Sequence, residues 1–521
     1  MGRARGAAVA LWLRAAQRSI PACNGIISRP PVNFAAEIVD AAPPARLALL
    51  ELNRDGARRE WSFGEVADRA ARLAGALEAR GIGRGDVVMT LIGNRPEWVL
   101  TMLACFRIGA VVLPCTEQLR AKDLELRIGQ AEPALIVADE RNLEALAGLA
   151  IPVLSVPDEG LYEHAPAAAA ELGEDEPCLI TFTSGTSGEP SGVVHAQRYL
   201  HGQRLQAEHW LAPPAGGLVW CTAASGWSKS ARNVFIAPWL RGAAALLHDA
   251  RFDPAERLEL LERERVAVLC MAPTEYRVIA KRIDLRPLPA LRGMVAAGEA
   301  LNPEVLRAWH EATGLEIRDG YGQTETGQLT GAPASVPTRP GSMGPPLPGV
   351  ALEILERELT VDPRSVPTFF LGYLGEHVAR GDDGGWQIED RRNGGSWRTG
   401  DRVHADGEGW LFFEGRNDDV IVSAGYRIGP FEVESALVAH PAVAEAAAVA
   451  APDEERGAVV RAVVVLREGH APSAELAREL QDHVKSQTAP YKYPRIVEFA
   501  SELPKTASGK VKRAELRAGA A

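Results

Sequence analysis

Apolar and polar positions alternate in blocks that predict crossover units of helix and strand in the first half of the chain. Ser62 and Glu65 have the spacing of a capping box, and apolar residues recur from Phe63 to Leu77 at helical intervals. The continuous apolar run at 87–92 is typical of a buried strand. The same reasoning predicts a helix that starts at Pro96 and ends near Gly109, and strands at 110–113 and 134–138. This alternation predicts a mainly parallel sheet with helices on its faces.

The pattern changes twice in the second half of the chain. Residues 351–415 carry short apolar runs between Gly, Asp and Trp, which predicts antiparallel strands and turns. After Gly415 the strand and helix patterns return, at 419–422, 430–439, 442–449, 459–466 and 474–484. We therefore predict an α/β fold with an N-terminal extension at 1–32, a large domain at 33–415 whose strand-rich part is about 351–415, and a small α/β domain at 416–521.

Composition narrows the function classes. The 521 residues are 46% apolar and 24% charged, which is globular, and the net charge of −11 argues against a protein that coats nucleic acid or an anionic membrane. The longest apolar stretch, 99–114, is interrupted by Arg107 and is too short to span a bilayer. The six Cys form no CxxC pair and none has a nearby His at metal-ligand spacing, so we expect a reducing compartment without a disulfide scaffold or zinc site.

The first 36 residues contain five Arg and no acidic residue, with an apolar patch at 7–13. Such a segment resembles an organelle presequence, but the start of an Arg- and Ala-rich chain without a targeting role has the same composition, and we favour that interpretation. We expect a cytoplasmic protein, or one of an organelle matrix if residues 1–32 are a presequence.

A glycine-rich loop follows the β-rich run at 178–182 and is the first candidate for chemistry. It reads Thr183-Ser184-Gly185-Thr186-Ser187-Gly188-Glu189-Pro190-Ser191-Gly192. Glycines let backbone N–H groups converge on an anion, and hydroxyls add donors to phosphate oxygens. The loop does not fit the Walker A pattern. Alone, it is either a phosphate-binding loop or an ordinary surface loop.

The sequence of this loop resembles the phosphate loop of the adenylate-forming superfamily, which includes acyl-CoA synthetases, luciferases and peptide-synthetase adenylation domains. Four further segments resemble the motifs of that superfamily in the expected order, and the match covers nearly everything after residue 32: Asp319-Gly320-Tyr321-Gly322-Gln323-Thr324-Glu325, Trp397-Arg398-Thr399-Gly400-Asp401, Gly415-Arg416-Asn417-Asp418-Asp419 and Pro504-Lys505-Thr506-Ala507-Ser508-Gly509-Lys510. Segments such as Gly226-Trp227-Ser228-Lys229-Ser230 and Gly425-Tyr426-Arg427-Ile428-Gly429-Pro430 are similar to the medium-chain acyl-CoA synthetases and the benzoate- and aminobenzoate-CoA ligases.

The resemblance implies an enzyme that activates a carboxylic acid with ATP and Mg²⁺ to an acyl adenylate and then transfers the acyl group to coenzyme A. It implies that Lys510 bridges the attacking carboxylate and the α-phosphate, that Thr324 donates to that phosphate and that Glu325 holds Mg²⁺. Asp401 would accept from the ribose hydroxyls. The complete ATP-binding set implied in this way is Thr183, Ser184, Gly185, Thr186, Ser187, Gly188, Glu189, Pro190, Ser191, Asp319, Gly320, Tyr321, Gly322, Gln323, Thr324, Asp401, Arg416, Arg427 and Lys510.

The resemblance also implies a mobile small domain that turns about a hinge at Asp418. The coenzyme A contacts that it implies are Gln118, Ala424, Gly425, Tyr426, Arg456 and Lys485. The acyl pocket is expected near Trp227, Thr274 and Gly298, with Gly322 beside it. No charged residue obviously awaits a second polar group on the acid, so an apolar acid, aryl or medium-chain, is expected. A homo-oligomer is left open.

One position departs from the family pattern. The phosphate loop usually reads Pro-Lys-Gly, and here it reads Pro190-Ser191-Gly192. A charge-assisted hydrogen bond is worth roughly 1.5–3 kcal/mol, so about 10- to 100-fold in rate or affinity is at stake. Two alternatives to the CoA ligase therefore stay open: an acyl-AMP ligase that feeds a carrier protein, and a catalytically weakened homologue that binds ATP or an acyl group.

Overall fold

The structure, a computed structural model, describes residues 31–183, 190–298, 303–381, 383–417, 419–423, 426–506 and 510–518. Nearly all of the predicted N-terminal extension therefore lies outside the described residues. So do these predicted site residues: Ser184, Gly185, Thr186, Ser187, Gly188, Glu189, Asp418, Ala424 and Gly425, together with the side chain of Arg427.

Within these ranges the chain forms strands β1 to β26, numbered along the sequence. In the first half they are β1 Leu47–Leu52, β2 Arg58–Ser62, β3 Val87–Leu91, β4 Val111–Cys115, β5 Leu135–Asp139, β6 Val153–Val156, β7 Pro177–Phe182, β8 Gly192–Ala196, β9 Leu218–Cys221, β10 Ala244–His248 and β11 Val268–Met271. The second half adds β12 Gly293–Ala297, β13 Ile317–Gln323, β14 Gly327–Gly331, β15 Leu352–Leu355, β16 Glu358–Val361, β17 Gly372–Tyr373, β18 Val378–Arg380, β19 Trp386–Ile388, β20 Trp397–Ala405, β21 Leu411–Arg416, β22 Ile421–Ser423, β23 Tyr426–Ile428, β24 Val443–Asp453, β25 Gly457–Leu466 and β26 Ile496–Ala500.

Helices connect these strands. The α-helices are α1 Phe63–Glu78, α2 Pro96–Ile108, α3 Ala121–Ala131, α4 Arg198–Gly202, α5 Arg204–Gln206, α6 Ala237–Leu240, α7 Pro254–Arg263, α8 Pro273–Arg282, α9 Pro303–Thr313, α10 Pro430–Val438, α11 Ala474–Gln487 and α12 Arg513–Ala518. Three segments are π-helical: Ala35–Asp40, Ala207–Leu211 and Arg232–Ile236. Short 3₁₀ turns lie at Glu140–Leu146, Glu159–Glu163, Pro363–Ser365, Arg391–Asn393 and Pro490–Lys492.

Two large sheets build the first part of the molecule. The seven-stranded sheet has the order β17-β8-β7-β4-β3-β5-β6, and the eight-stranded sheet has the order β14-β13-β12-β11-β9-β10-β1-β2. The inner strand pairs are parallel, and antiparallel pairs stand at the edges, as between β1 and β2 or β13 and β14. The largest buried cluster contains residues from the facing sides of both sheets, including Val88, Val112, Val219 and Ala245. The predicted crossover architecture is therefore present.

Local sequence signals set the ends of the first helices. The Ser62 hydroxyl accepts from the Glu65 backbone N–H, and the Glu65 carboxylate accepts from the Ser62 backbone N–H, so a capping box opens α1. Pro96 is the first residue of α2, and Gly109 ends that helix with φ at +77°, a left-handed conformation that glycine adopts without a steric penalty. Both helix starts lie where the pattern predicts them.

The later segments are strand-rich, as predicted, with one difference. β15, β16, β20 and β21 form an antiparallel four-stranded sheet. β17 belongs instead to the seven-stranded sheet, where Gly372 and Tyr373 pair with Val194 and Val193 of β8. This long-range pairing depends on which sheet edge lies nearby, which a local pattern does not encode.

The small C-terminal unit has its own sheet and core. β24 and β25 pair antiparallel, β25 and β26 pair parallel, and α10 and α11 pack together. Its buried cluster includes Val433 and Leu437 of α10 and Leu480 and Val484 of α11. No helix in the described ranges is both long enough and apolar enough to cross a membrane.

Gly226 offers a test of how tightly the two sheets are joined near the acyl motif. Its φ is +88°, and a Cβ there would lie 2.6 Å from the carbonyl carbon of Cys115, at the end of β4. Gly216 also has a positive φ, +73°, but has open space around it. Both changes to Ala introduce left-handed strain of about 1–2 kcal/mol, but only Gly226→Ala adds a backbone clash.

Differential scanning calorimetry should therefore show a clearly larger fall in the thermal midpoint for Gly226→Ala than for Gly216→Ala. Equal midpoints would show that the backbone at Cys115 yields without penalty.

Candidate functional site

A cavity of about 1650 Å³ opens where parallel strands of both sheets end, and the small domain forms part of its wall. Crevices outside the carboxyl ends of parallel strands are common ligand sites. The lining residues that the sequence singled out come from every motif: Thr183, Ser191, Trp227, Thr274, Gly298, Asp319, Gly320, Tyr321, Gly322, Gln323, Thr324, Glu325, Asp401, Arg416 and Lys510, with Gln118 at its rim. The structure thus brings together residues as far apart in the chain as Gln118 and Lys510.

The two described ends of the glycine-rich loop are hydrogen-bonded to each other. The Thr183 N–H donates to the Ser191 carbonyl at 3.0 Å, and the Ser191 N–H donates to the Thr183 hydroxyl at 3.1 Å. Ser191 is exposed and Thr183 is half-buried on the cavity wall. The loop therefore starts and ends at one point of the wall, directly after β7.

Asp319 begins the second motif and lies deep in the cavity. Its Oδ1 accepts from the Gly320 N–H at 2.8 Å. Burial raises the pKa of Asp319 to about 8, although the Gly320 N–H and the Lys229 ammonium both oppose the rise. Gly322 lies so close to the Gly327 carbonyl that a Cβ would overlap it, so the motif needs glycine there.

Asp401 is the centre of a buried polar network. Its Oδ2 accepts from the Tyr321 hydroxyl and, at 2.9 Å, from the Gln323 amide. The Gln323 amide also donates to the Thr399 carbonyl at 2.7 Å, and Arg416 Nη1 lies 3.8 Å from Asp401 Oδ1. Burial raises the pKa of Asp401, against the hydrogen bond from Tyr321 and the charges of Arg416 and Lys510. The polar atoms of Tyr321 and Gln323 therefore hold Asp401.

Glu325 offers one buried carboxylate to the cavity. Its Oε1 accepts from the Tyr373 hydroxyl at 2.8 Å, and its backbone carbonyl accepts from the Phe370 N–H at 2.8 Å. Burial raises the pKa of Glu325. Beneath it, buried His195 hydrogen-bonds the Thr324 backbone, and burial lowers the pKa of His195 to about 3, so this imidazole is neutral.

Lys510 reaches the cavity from a tight turn of the small domain. The Thr506 N–H donates to the Lys510 carbonyl at 2.7 Å, and the Lys510 N–H donates to the Thr506 hydroxyl at 3.1 Å. Lys505 and Val511 form a β-bridge that closes the turn. The ammonium is exposed to the cavity, where it lowers the pKa of Asp401.

The predicted acyl residues line the far part of the same cavity. Trp227 and Thr274 are half-buried, and Arg277 donates to the Thr274 hydroxyl at 3.0 Å. The Lys229 ammonium donates to the Ala297 carbonyl at 3.1 Å, which places it directly beside Gly298. Lys229 belongs to the segment Gly226-Trp227-Ser228-Lys229-Ser230, but nothing in that segment indicates that its charge lies inside the cavity.

Three of the predicted coenzyme A residues lie outside the cavity. Tyr426 is exposed and stacks on Tyr491 with a centroid distance of 4.3 Å. The Lys485 ammonium is 2.7 Å from the Asp482 carboxylate, and the Arg456 N–H donates to Asp453 at 2.9 Å. Gln118 alone of the described coenzyme A residues lines the cavity.

Sequence reasoning missed several residues of the wall. Tyr373, which binds Glu325, belongs to no motif, and Arg232 stands two positions beyond a quoted one. An ion-pair network also closes one end of the cavity: Arg141 contacts Asp139 at 2.6 Å and Asp249 at 2.9 Å, and Arg54 contacts Glu117 at 3.1 Å. Arg141 and Asp249, like Arg54 and Glu117, are distant in sequence, so spacing could not reveal these two pairs.

Comparisons with known proteins agree with this geometry. The family profile described as AMP-binding enzyme matches residues 37–382, and the profile described as AMP-binding enzyme C-terminal domain matches residues 432–510. The uncharacterized acyl–CoA ligase YtcI of Bacillus subtilis (strain 168) is 38% identical, over 92% of this chain and 94% of that protein. The human mitochondrial acyl-coenzyme A synthetase ACSM4 is 38% identical, over 93% and 90%. The crystal structure of the anthranilate CoA ligase AuaEII with anthranoyl-AMP has a TM-score of 0.83 and 27% identity, over 94% and 98%.

The raised pKa of Asp319 generates a pH prediction. A carboxyl group whose pKa is higher in the folded than in the unfolded chain favours folding while it is protonated. That contribution is complete below the unfolded value of about 4 and is lost as the pH rises toward the folded value of about 8. Asp319→Asn removes this titration. The thermal midpoint of the variant, measured relative to that of the wild-type protein, should therefore rise between pH 5 and pH 8.5.

The measurement is a series of thermal melts without ligands over this pH range. Asp284→Asn, at an exposed aspartate, is the control for the loss of one negative charge. Parallel midpoint curves for Asp319→Asn and the unchanged protein would contradict the prediction.

Proposed function

Since this chain belongs to the AMP-binding enzyme family, we propose that it is an ATP-dependent, AMP-forming ligase that joins a carboxylic acid to coenzyme A. The family and the α/β fold class predicted from the sequence are confirmed by the comparisons. One observation carries the proposal: Lys510 of the small domain faces Asp401 across the cavity that Thr324 and Glu325 also line. The relatives YtcI and ACSM4 are named as an acyl–CoA ligase and an acyl-coenzyme A synthetase.

In the first half-reaction the acid carboxylate attacks the α-phosphorus of ATP. The new P–O bond forms as the bond from the α-phosphorus to the oxygen bridging to the β-phosphate breaks, which gives an acyl adenylate and pyrophosphate. Lys510 lies between the two anions, and a compact ammonium suits charge that moves between them. Thr324 donates to the α-phosphate, and its backbone is held by neutral His195. Asp401 accepts from the ribose hydroxyls through Oδ1, since Oδ2 already accepts two hydrogen bonds.

Glu325 fits a Mg²⁺ site that is completed by the nucleotide. Mg²⁺ is commonly bound by one or two carboxylates together with substrate phosphates and water. The described residues contain no group of three side chains that could hold a metal by themselves. A single buried carboxylate, held in place by Tyr373, matches this requirement. When bound, Mg²⁺ neutralises phosphate charge.

In the second half-reaction the thiol of coenzyme A attacks the acyl carbon and AMP leaves. Gln118 stands at the cavity, whereas Tyr426, Arg456 and Lys485 lie elsewhere on the small domain. We therefore propose that the present arrangement serves adenylate formation and that the small domain turns about Asp418 before thioester formation. The boundary at 415–416 falls between the two matched segments, which supports it. We further propose a cytoplasmic location.

The acid has an apolar body, aryl or medium-chain, because Trp227, Thr274 and Gly298 form the wall beside Lys229. The test is pyrophosphate release from ATP and Mg²⁺ with C2–C16 fatty acids, benzoate and substituted benzoates, with and without coenzyme A. Mass spectrometry should find an acyl adenylate without coenzyme A and an acyl thioester with it. Lys510→Ala should lower pyrophosphate release at least 100-fold, which is about 2.7 kcal/mol of barrier.

Lys512→Ala is the matched control, because Lys512 pairs with Glu515 at 2.7 Å beside the same turn. No pyrophosphate with any acid would reject the ligase and favour a weakened ATP- or acyl-binding homologue. Adenylate without thioester would instead favour an acyl-AMP ligase that feeds a carrier protein.

Ser191 allows a separate prediction about ATP. It is exposed at the loop end, so a lysine side chain there has room to approach the phosphates. A gained charge-assisted hydrogen bond of roughly 1.5–3 kcal/mol would lower the KM for ATP or raise kcat about 10- to 100-fold in Ser191→Lys. Ser191→Ala, which only removes the hydroxyl, should not improve either value. Unchanged ATP kinetics in Ser191→Lys would mean that other groups already replace the lysine.

A further inference from the structure

A buried guanidinium lines the cavity, and two of its nitrogens have no hydrogen-bond partner among the described residues. Arg232 is the first residue of the π-helical segment Arg232–Ile236, and its side chain is 95% buried. Its Nε and Nη1 are buried and have no hydrogen-bond partner within the described part of the chain. It nevertheless contributes to the cavity wall. The side chain thus brings a positive charge to the cavity wall.

Three other buried arginines of the described chain each have at least one oxygen partner, although Arg198 Nη2 and Arg257 Nε are also without one. Arg198 donates to the Asp175 carboxylate at 2.8 Å, Arg257 contacts the Glu275 carboxylate at 3.4 Å, and Arg318 donates to the backbone carbonyls of Trp210 and Leu211. A buried charge is costly unless it is paired and hydrogen-bonded. A lone buried guanidinium that faces a ligand cavity therefore indicates that the ligand supplies the partner.

The position of Arg232 indicates which part of the ligand would contact it. The Arg232 charge acts to lower the pKa of Cys270, a cavity residue in β11. It acts in the same direction on the pKa values of His195 and Tyr199, which lie behind the wall. The nucleotide wall has its own cations, since Arg416 and Lys510 act on Asp401. The neighbouring Asn233 also keeps an unpartnered, buried Oδ1. Arg232 follows Trp227 and Lys229 on one segment and shares the neighbour Cys270 with Lys229, so we place it toward the predicted acyl residues.

We propose that the acid activated by this enzyme carries, apart from the reacting carboxylate, a second acceptor group, preferably a carboxylate, that binds to Arg232. The proposal rests on the proposed ligase function and specifies its substrate class. The apolar body of the acid lies along Trp227 and Thr274, and its distal group accepts from the Arg232 guanidinium where that side chain reaches the cavity wall. A carboxylate suits this fork because it can accept two parallel hydrogen bonds.

The test compares matched acids that differ only in the second group. Hexanoate is paired with hexanedioate, and benzoate with 3- and 4-carboxybenzoate, in the assay of pyrophosphate release with ATP, Mg²⁺ and coenzyme A. In the unchanged enzyme, kcat/KM should be at least tenfold higher for one acceptor-bearing acid than for its plain partner. Arg232→Met should lower this ratio by about 10- to 100-fold, the range of one charge-assisted hydrogen bond.

Arg232→Lys keeps the charge but loses the planar guanidinium. Its ratio of kcat/KM values should therefore lie between those of the wild-type enzyme and Arg232→Met. Arg204→Met is the control, because Arg204 lies outside the cavity and contacts Glu208 at 4.0 Å. If plain acids are activated and the ratio in the unchanged enzyme stays near one, the inference is wrong while the ligase function stands. If no acid of either kind releases pyrophosphate, the ligase function itself fails. Should Arg232→Met not fold, the ratio of the unchanged enzyme decides alone.

Discussion

The buried carboxylate of Asp401 is the interaction on which the arrangement of the site depends. It belongs to β20 of the four-stranded sheet, yet Tyr321 and Gln323, from β13 of the eight-stranded sheet, donate hydrogen bonds to it. Arg416, at the end of β21, approaches its other oxygen. Because an unpaired buried carboxylate is costly, these partners fix how the two sheets meet. Arg416 is also the residue from which the chain leaves for the small domain, so the same network sets the starting point of that domain.

The charges of the cavity are divided between its two sides. Asp319, Glu325 and Asp401 stand on the nucleotide side, and burial raises the pKa of each. These groups suit hydroxyl donors and a divalent cation, both of which favour ionised carboxylates. Lys229 and Arg232 stand on the side that we propose for the acid. In the proposed reaction, each ligand therefore meets charge that complements its own, and the reacting carboxylate and α-phosphate meet at Lys510 between the two sides.

Local sequence patterns were sufficient to predict features, such as helix ends, that depend only on residues close together in the chain. The capping box at Ser62 and the Pro96 and Gly109 boundaries follow from backbone hydrogen bonding and allowed dihedrals, which a short segment determines. The motifs identified many residues that line the cavity, because each motif combines several residue types, such as glycines, hydroxyls and charged groups, at fixed spacing. Other features depend on tertiary packing between distant segments. They are the pairing of β17 with β8, the hydrogen bond from Tyr373 to Glu325 and the burial of Arg232. The sequence alone therefore predicted an apolar acyl pocket without its buried cation.

The scarcity of lysine connects the phosphate loop with the proposed motion of the small domain. Positions 184–190 contain no Lys or Arg, and Ser191 contributes only a neutral hydroxyl at the end of the loop. Of eight lysines in the chain, five lie from Lys485 onward, and among them Lys510 is the one whose charge acts on Asp401. In the proposed reaction, a principal cation at the α-phosphate therefore arrives with the small domain and is not fixed in the loop. Closing this domain and neutralising phosphate charge become one event, so turning the domain away after adenylate formation also weakens the hold on the departing pyrophosphate.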